Sequence, residues 1–523
     1  MDVRKGESMD RKNPIIKADF PDPDVIRVDD VYYMLSTTMH FRPGAVILRS
    51  YDLLHWEIVG HVFDRLGNSP EECMQGERCN YGRGMWAGSL RYHEEKFYVC
   101  FSALDTDETY IYIADTIEGP WEKRTLKEYR HHPSLLFDED GRVYLVSGYE
   151  RVLIRELLPD CTGYKENGLD RVLLEEMKED VYLGYEGSHI QKIGGKYYLF
   201  VIYWPKVEPA RRTQLYFVAE HLGDEFTGGE LLRDDMDYHN QGVAQGGLVE
   251  TLNGKWYAVL YQDHGAVGRI PVLVPVRWDG DVPVLGAGGK TPKALAPVSS
   301  RPYYQYQPVY TSDDFKEYQG HGASYGLKPQ WEFNHVPDEK NWWLLEEGGL
   351  VIRNGKISTN VVHAANTLTQ RMMWPGCAAE VTVDAKGLKD GDVAGLCALQ
   401  GCYGLIGIMK EYGSYYLVVM QRTWGNTSLT DRSPDYLPGN IVEKIRLEES
   451  TARIRLNVNF EDMQDEAEFF YQHKKRWKRV GEPHKLVFRL DHFCGCRFGL
   501  FNYATGQTGG EAVFKEFRYI YEN

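Results

Sequence analysis

Two carboxylates, an imidazole, an amide and an indole occupy one equivalent place in five copies of a repeated pattern. Each copy runs as an apolar strand, a turn of Gly, Asp, Asn or Glu, and an aromatic-rich strand. The copies are DPDVIRVDDVYYMLSTT, WAGSLRYHEEKFYVCFSA, HPSLLFDEDGRVYLVSGY, EGSHIQKIGGKYYLFVIY and QGGLVETLNGKWYAVLYQD. Counting back twelve residues from the tyrosine after each turn (Tyr98, Tyr144, Tyr198, Tyr257) reaches Trp86, His132, Glu186 and Gln245; eleven back from Tyr33 reaches Asp22. Two carboxylates facing each other across a neutral ligand are the equipment for glycoside hydrolysis. One protonates the leaving oxygen while the other activates water or attacks carbon. Glu186 opens an apolar strand, where desolvation is expected to raise its pKa as an acid requires. Asp22 is restrained between Pro21 and Pro23. His132 stands directly after a second histidine, His131.

The elements that must position these residues follow from the repeat. The anchor tyrosines lie 65, 46, 54 and 59 residues apart, which is room for about four short strands and their loops. A second signature, SYDLLHW, ADTIEGPW and AEHLGDEF, falls between copies and suits a turn into an outer strand. Five four-stranded units repeated radially make a five-bladed β-propeller. Its inner strands run the same way along the central channel, so equivalent positions gather at one mouth, the natural ligand pocket. The chain is therefore expected to be all-β, with the propeller over 1–310, a linker over 311–328 and a second domain over 329–523. That last region alternates apolar and polar residues in short runs such as AAEVTVDA and RIRLNVNF, as a β-sandwich does.

Length and charge narrow the function. At 523 residues the chain exceeds one ordinary core. A net charge of -16, from 60 Lys and Arg against 76 Asp and Glu, leaves no basic stripe for nucleic acid or an anionic membrane and favours a small neutral substrate. The 36 Tyr and 12 Trp suit strand packing and stacking on flat ligand faces. Nine cysteines without framework spacing read as reduced thiols. With no apolar run of leader or membrane-spanning length, the expectation is a soluble, cytoplasmic protein.

FPDPDVIRVDDVYYM, GMWAGSLRYH, HPSLLFDEDGRVYLV, EGSHIQKIGGKYYLF and GGLVETLNGKWYAVLYQDHGAVGRIPV together resemble glycoside hydrolase family 43, the five-bladed β-xylosidases and α-L-arabinofuranosidases. QWEFNHVPDEKNWWL, NTLTQR and GLKDGDVAGLCALQ resemble the concanavalin-like β-sandwich (a jelly roll) that follows the propeller in its β-xylosidase branch. The resemblance implies an inverting, exo-acting hydrolase with Asp22 as general base and Glu186 as general acid, their carboxyl groups about 6.5–9.5 Å apart. It implies Arg269, in GAVGRIP, approaching the sugar and the acid, and Trp86 as a stacking wall. No cofactor is implied beyond a structural calcium in the propeller channel, and a homo-oligomer is compatible with it. The family's axial histidine aligns with Gln245, which leaves His264 as the candidate metal ligand and His239 as a competitor for that role. The family's third carboxylate, which raises the acid's pKa, aligns with His132. An imidazole cannot repel the acid's charge, so the expectation is a weakened enzyme tolerant of good leaving groups. The alternative is a catalytically impaired propeller that binds pentose oligosaccharides. A scaffold for protein partners would leave the paired carboxylates unexplained. Xylose and arabinose stay open as products.

Overall fold

The computed structural model describes residues 12–316, 324–423 and 436–522. The N-terminal stretch read for a leader (1–11) and the middle of the expected linker (317–323) lie outside them. Five antiparallel four-stranded sheets follow in chain order, each with its strands in sequential order. Their first, inner strands are Asp24–Val28, Met85–His93, Ser134–Phe137, Val181–Ile193 and Leu248–Glu250. The anchor tyrosines lie on the second strands and pair back across the tight turn, Tyr33 opposite Ile26 and Tyr144 opposite Leu136. Each blade buries its faces against its neighbours. Leu136, Tyr144 and Val146 pack with Ile190, Leu199 and Val201 between blades 3 and 4. Phe200, Leu248 and Leu260 do the same between blades 4 and 5.

The ring is closed by the segment before blade 1. Asn13 donates to Leu273 O (2.8 Å) and accepts from Leu273 N (2.9 Å), and further on Phe20 N donates to Arg269 O (3.0 Å). Residues 13–20 thus run along blade 5 and deliver Asp22 beside Arg269. The channel is plugged by Arg91. Its guanidinium donates to Asp24 Oδ2 (2.6 Å) of blade 1, to Ser134 Oγ (2.8 Å) and Leu135 O (2.7 Å) of blade 3, and to Ile190 O (3.3 Å) of blade 4.

After the propeller, Tyr304 and Tyr306 pack on Tyr51 of blade 1, and Asp313 N then bonds Phe517 O (2.9 Å) in the second domain. That domain is a sandwich of an eight-stranded and a seven-stranded sheet. The eight-stranded sheet includes a piece of the propeller, Phe41–Arg42, paired with Glu332–Asn334. A buried carboxylate, Glu332, clamps this junction by accepting from Arg371 (2.7 Å), Arg497 and His61 (3.1 Å). The eight-stranded sheet is thus tied directly to blade 1, and the seven-stranded sheet to the segment that leaves the propeller.

Candidate active site

The five equivalent positions converge, and the backbone shows how. Asp22, His132 and Gln245 precede or open their inner strands in the left-handed region, at φ 54°, 46° and 67°. Trp86 and Glu186 lie inside longer inner strands, at register shifts between Met85 and Gly88 and between Leu183 and His189. Bulges and left-handed residues both break the alternation of a strand and re-aim one side chain, here toward the axis.

On one side of the pocket Asp22, 4% exposed, accepts from Gln245 Nε2 (2.8 Å) and from Arg269 Nη1 (3.2 Å). Tyr261 OH donates to Gln245 Oε1 (3.0 Å), and so fixes which end of the amide faces the carboxylate. Arg269 Nη2 in turn donates to Phe493 O (3.2 Å), and its guanidinium lies 4.8 Å from the Phe493 ring centre. Phe493 belongs to the sandwich and also meets Trp86, their centroids 5.4 Å apart. The second domain therefore completes the pocket wall. Its loop is held by Asp19, which accepts from Arg269 N and Gly495 N (both 2.7 Å).

On the other side Glu186 Oε2 lies 3.2 Å from Nε2 of His131, not of His132. The rings of His131 and His132 stack in parallel at 4.2 Å, and Trp86 covers both at 5.7 and 6.3 Å. Burial, with His131 alongside, pushes His132 down to about 3. Burial pushes the Glu186 carboxyl upward, but the His131 hydrogen bond, the imidazoles and the Arg212 guanidinium outweigh it and leave its pKa below the usual value. The rise anticipated from desolvation alone is thus reversed, because two imidazoles and an arginine face this carboxylate.

Two further expectations are corrected. Arg269 holds Asp22 rather than the expected acid, and Arg212, paired with Asp263, is the cation that faces Glu186. His264 stacks on Tyr238 (4.1 Å), stands edge-on to Trp374 (5.4 Å) and bonds Gln262 Oε1 (2.9 Å). Among the described residues it joins no group of three His, Cys, Asp or Glu, and His239 lies edge-on to Tyr238 and 3.9 Å from Asp462. Among the described residues, the one group of His, Cys, Asp or Glu close enough to share a metal is His131, His132 and Glu186.

Sequence reasoning missed His131, Arg212, Tyr261 and Phe493. The doubled histidine was a visible signal for the first. Phe493 had none, since it comes from a loop some two hundred residues beyond the repeat.

Residues 11–283 match the family model for glycosyl hydrolases family 43, and 321–520 match that for the β-xylosidase C-terminal concanavalin A-like domain. A β-xylosidase of Formosa agariphila is 26% identical, covering 98% of this chain and 90% of its own. A non-reducing end α-L-arabinofuranosidase of Bacteroides ovatus is 28% identical over 65% of this chain and 64% of its own. The solved bifunctional GH43-CE protein of Bacteroides eggerthii superposes with a TM-score of 0.89 at 37% identity, over 98% of this chain. This chain spans 64% of that longer protein. Enzymes of the matched family need no cofactor in general. With its five blades, its appended sandwich and carboxylates converging at one mouth, this chain belongs to glycosyl hydrolase family 43 and is a glycoside hydrolase.

Proposed function

We propose that the protein is an inverting, exo-acting hydrolase that releases xylose, arabinose or both from the ends of xylo-oligosaccharides or arabinoxylan fragments. Asp22 activates the water and Glu186 protonates the leaving oxygen. Trp86 stacks on the sugar, while Arg269 and Gln245 hold the base and reach its hydroxyls. What supports this reading is that the equivalent repeat positions meet in one contact network, with Asp22 held by Gln245 and Arg269, and Glu186 bonded to His131 under Trp86. Phe493 sets an aromatic wall against Trp86 and Arg269, which supports reading the pocket as one that takes a chain end. The similarity to a named β-xylosidase and a named α-L-arabinofuranosidase supports both pentoses. Free thiols at all nine cysteines suit a reducing, cytoplasmic setting.

An imidazole pair beside Glu186 does not repel its charge as a carboxylate would, so turnover is slower with poor leaving groups. The test is hydrolysis of 4-nitrophenyl β-D-xylopyranoside and α-L-arabinofuranoside side by side, with Glu186→Gln as control. Release abolished in that variant supports the reading. Calorimetric binding of xylo-oligosaccharides with no release in the wild type would favour a binding module instead.

A further inference from the structure

The three potential ligands at the acid side form a site of their own. One ring nitrogen each from His131 and His132 and one carboxylate oxygen of Glu186 all lie within 4.8 Å of one another. In a tetrahedral zinc site with bonds of about 2.0–2.1 Å, neighbouring ligand atoms sit roughly 3.3 Å apart. His131 Nε2 and Glu186 Oε2, at 3.2 Å, already have that separation. Because the His131 and His132 rings lie parallel at 4.2 Å, His132 must turn out of that stack to aim its lone pair at the same ion, closing a gap of up to about 1.5 Å. His132 is 7% exposed, and its Nδ1 is buried without a hydrogen-bond partner among the described residues. A buried ring nitrogen without a hydrogen-bond partner is a lone pair or N–H that calls for an explanation, and a bound ligand is one. His131 carries an outer partner as well. Its Nδ1 lies 2.9 Å from Tyr129 OH, the arrangement by which metal-binding histidines are oriented.

We propose that His131, His132 and Glu186 bind a borderline divalent transition metal, zinc being the test case, and that the metal blocks the pocket by occupying the carboxylate. Two imidazoles and one carboxylate suit Zn²⁺, Co²⁺, Ni²⁺ or Cu²⁺; Ca²⁺ and Mg²⁺ need more oxygens than are present. The local charge permits it. The guanidinium groups of Arg212 and Arg269 are each paired with a carboxylate, Asp263 and Asp22, so neither stands as a bare cation against an incoming metal. Metal binding does not rest on the hydrolase reading; the block to turnover does.

The full chain is titrated with zinc chloride by calorimetry, and with Co²⁺ while following visible d–d absorption. The wild type is expected to take up one equivalent at micromolar concentration. His131→Gln and His132→Gln, each checked for an unchanged melting transition, should weaken uptake at least about tenfold. Calcium should not compete. If pentoside hydrolysis is present, it should fall as zinc saturates and return on adding a chelator. No uptake, uptake unchanged in both variants, or turnover indifferent to saturating zinc would overturn the proposal. A protein that takes up the metal but hydrolyses neither pentoside would sustain the site and sink only the functional reading.

Discussion

Replacing Arg91 by methionine keeps most of the side-chain volume and removes the charge that plugs the propeller channel. In the wild type, burial pushes the Asp24 carboxyl upward, but Arg91, His189 and the Leu90 amide outweigh it and hold its pKa at about 2. Asp24 is 3% exposed on its side chain and Arg91 13%, so this is a buried pair rather than a screened surface one. Removing one partner strands the other, at a cost of about 3–5 kcal/mol. At about 2–4 °C per kcal/mol for a unit of this size, the melting transition should fall by ~6–20 °C. Because the folded pKa of Asp24 lies below its unfolded value, its contribution is present above about pH 4 and lost as pH falls toward 2. The gap between wild type and variant should therefore narrow in acid. Adding Asp24→Asn removes the stranded charge, so the double variant should melt above Arg91→Met alone. Scanning calorimetry of the four proteins between pH 3 and pH 7 reads this directly. A single variant melting within about 2 °C of wild type, or a double variant at the sum of the two losses, would refute the argument that a buried ion pair pins the blades.

Phe493→Ala should raise KM for the pentosides by roughly tenfold with kcat little changed, since it removes an aromatic contact to Trp86 and a cation–π contact to Arg269 worth about 1–2 kcal/mol together; an unchanged KM would place the sandwich outside the pocket. Burial pushes Asp465, near the propeller–sandwich contact, up to about 6 despite the Ala266 amide and Lys485. Its folded pKa is raised, so stability is lost as pH climbs from about 4 through 6, and Asp465→Asn should stabilise by on the order of 1–3 kcal/mol at pH 7 but not near pH 4, as melting curves at both pH values would show. His132→Asp adds a carboxylate behind His131 on the acid side of the pocket and should speed hydrolysis of a xyloside with a poor leaving group; a loss of rate would mean the histidine is a working part.

The register of the repeat carried far because a propeller converts sequence equivalence into spatial convergence. Asp22, Trp86, His132, Glu186 and Gln245 meet at one mouth because each stands at the equivalent place before its anchor tyrosine, twelve residues back in four blades and eleven in the first, whose turn is shorter. That logic stops where a contact depends on side-chain reach rather than register. His131 rather than His132 meets Glu186 because His132, with φ 46°, is buried behind its neighbour's ring. Arg91 was read only as part of an inner strand, and nothing in its spacing announces that its guanidinium would fill the axis. The same holds between domains. Phe493 and the Asp19 clamp come from segments far apart in the chain, and only packing of the sandwich on blade 1 brings them together. Glu186 was read from desolvation alone, while three nearby nitrogen bases decide the sign of its shift.

The claim that Asp22 and Glu186 act as base and acid on opposite faces of a pentoside is tested most directly by stereochemistry. Proton NMR of the first minutes of 4-nitrophenyl β-D-xylopyranoside hydrolysis should show the α-anomer of xylose appearing before mutarotation supplies the β-anomer. The signal should vanish in both Asp22→Asn and Glu186→Gln. The β-anomer appearing first, or release that survives either substitution, would contradict the account.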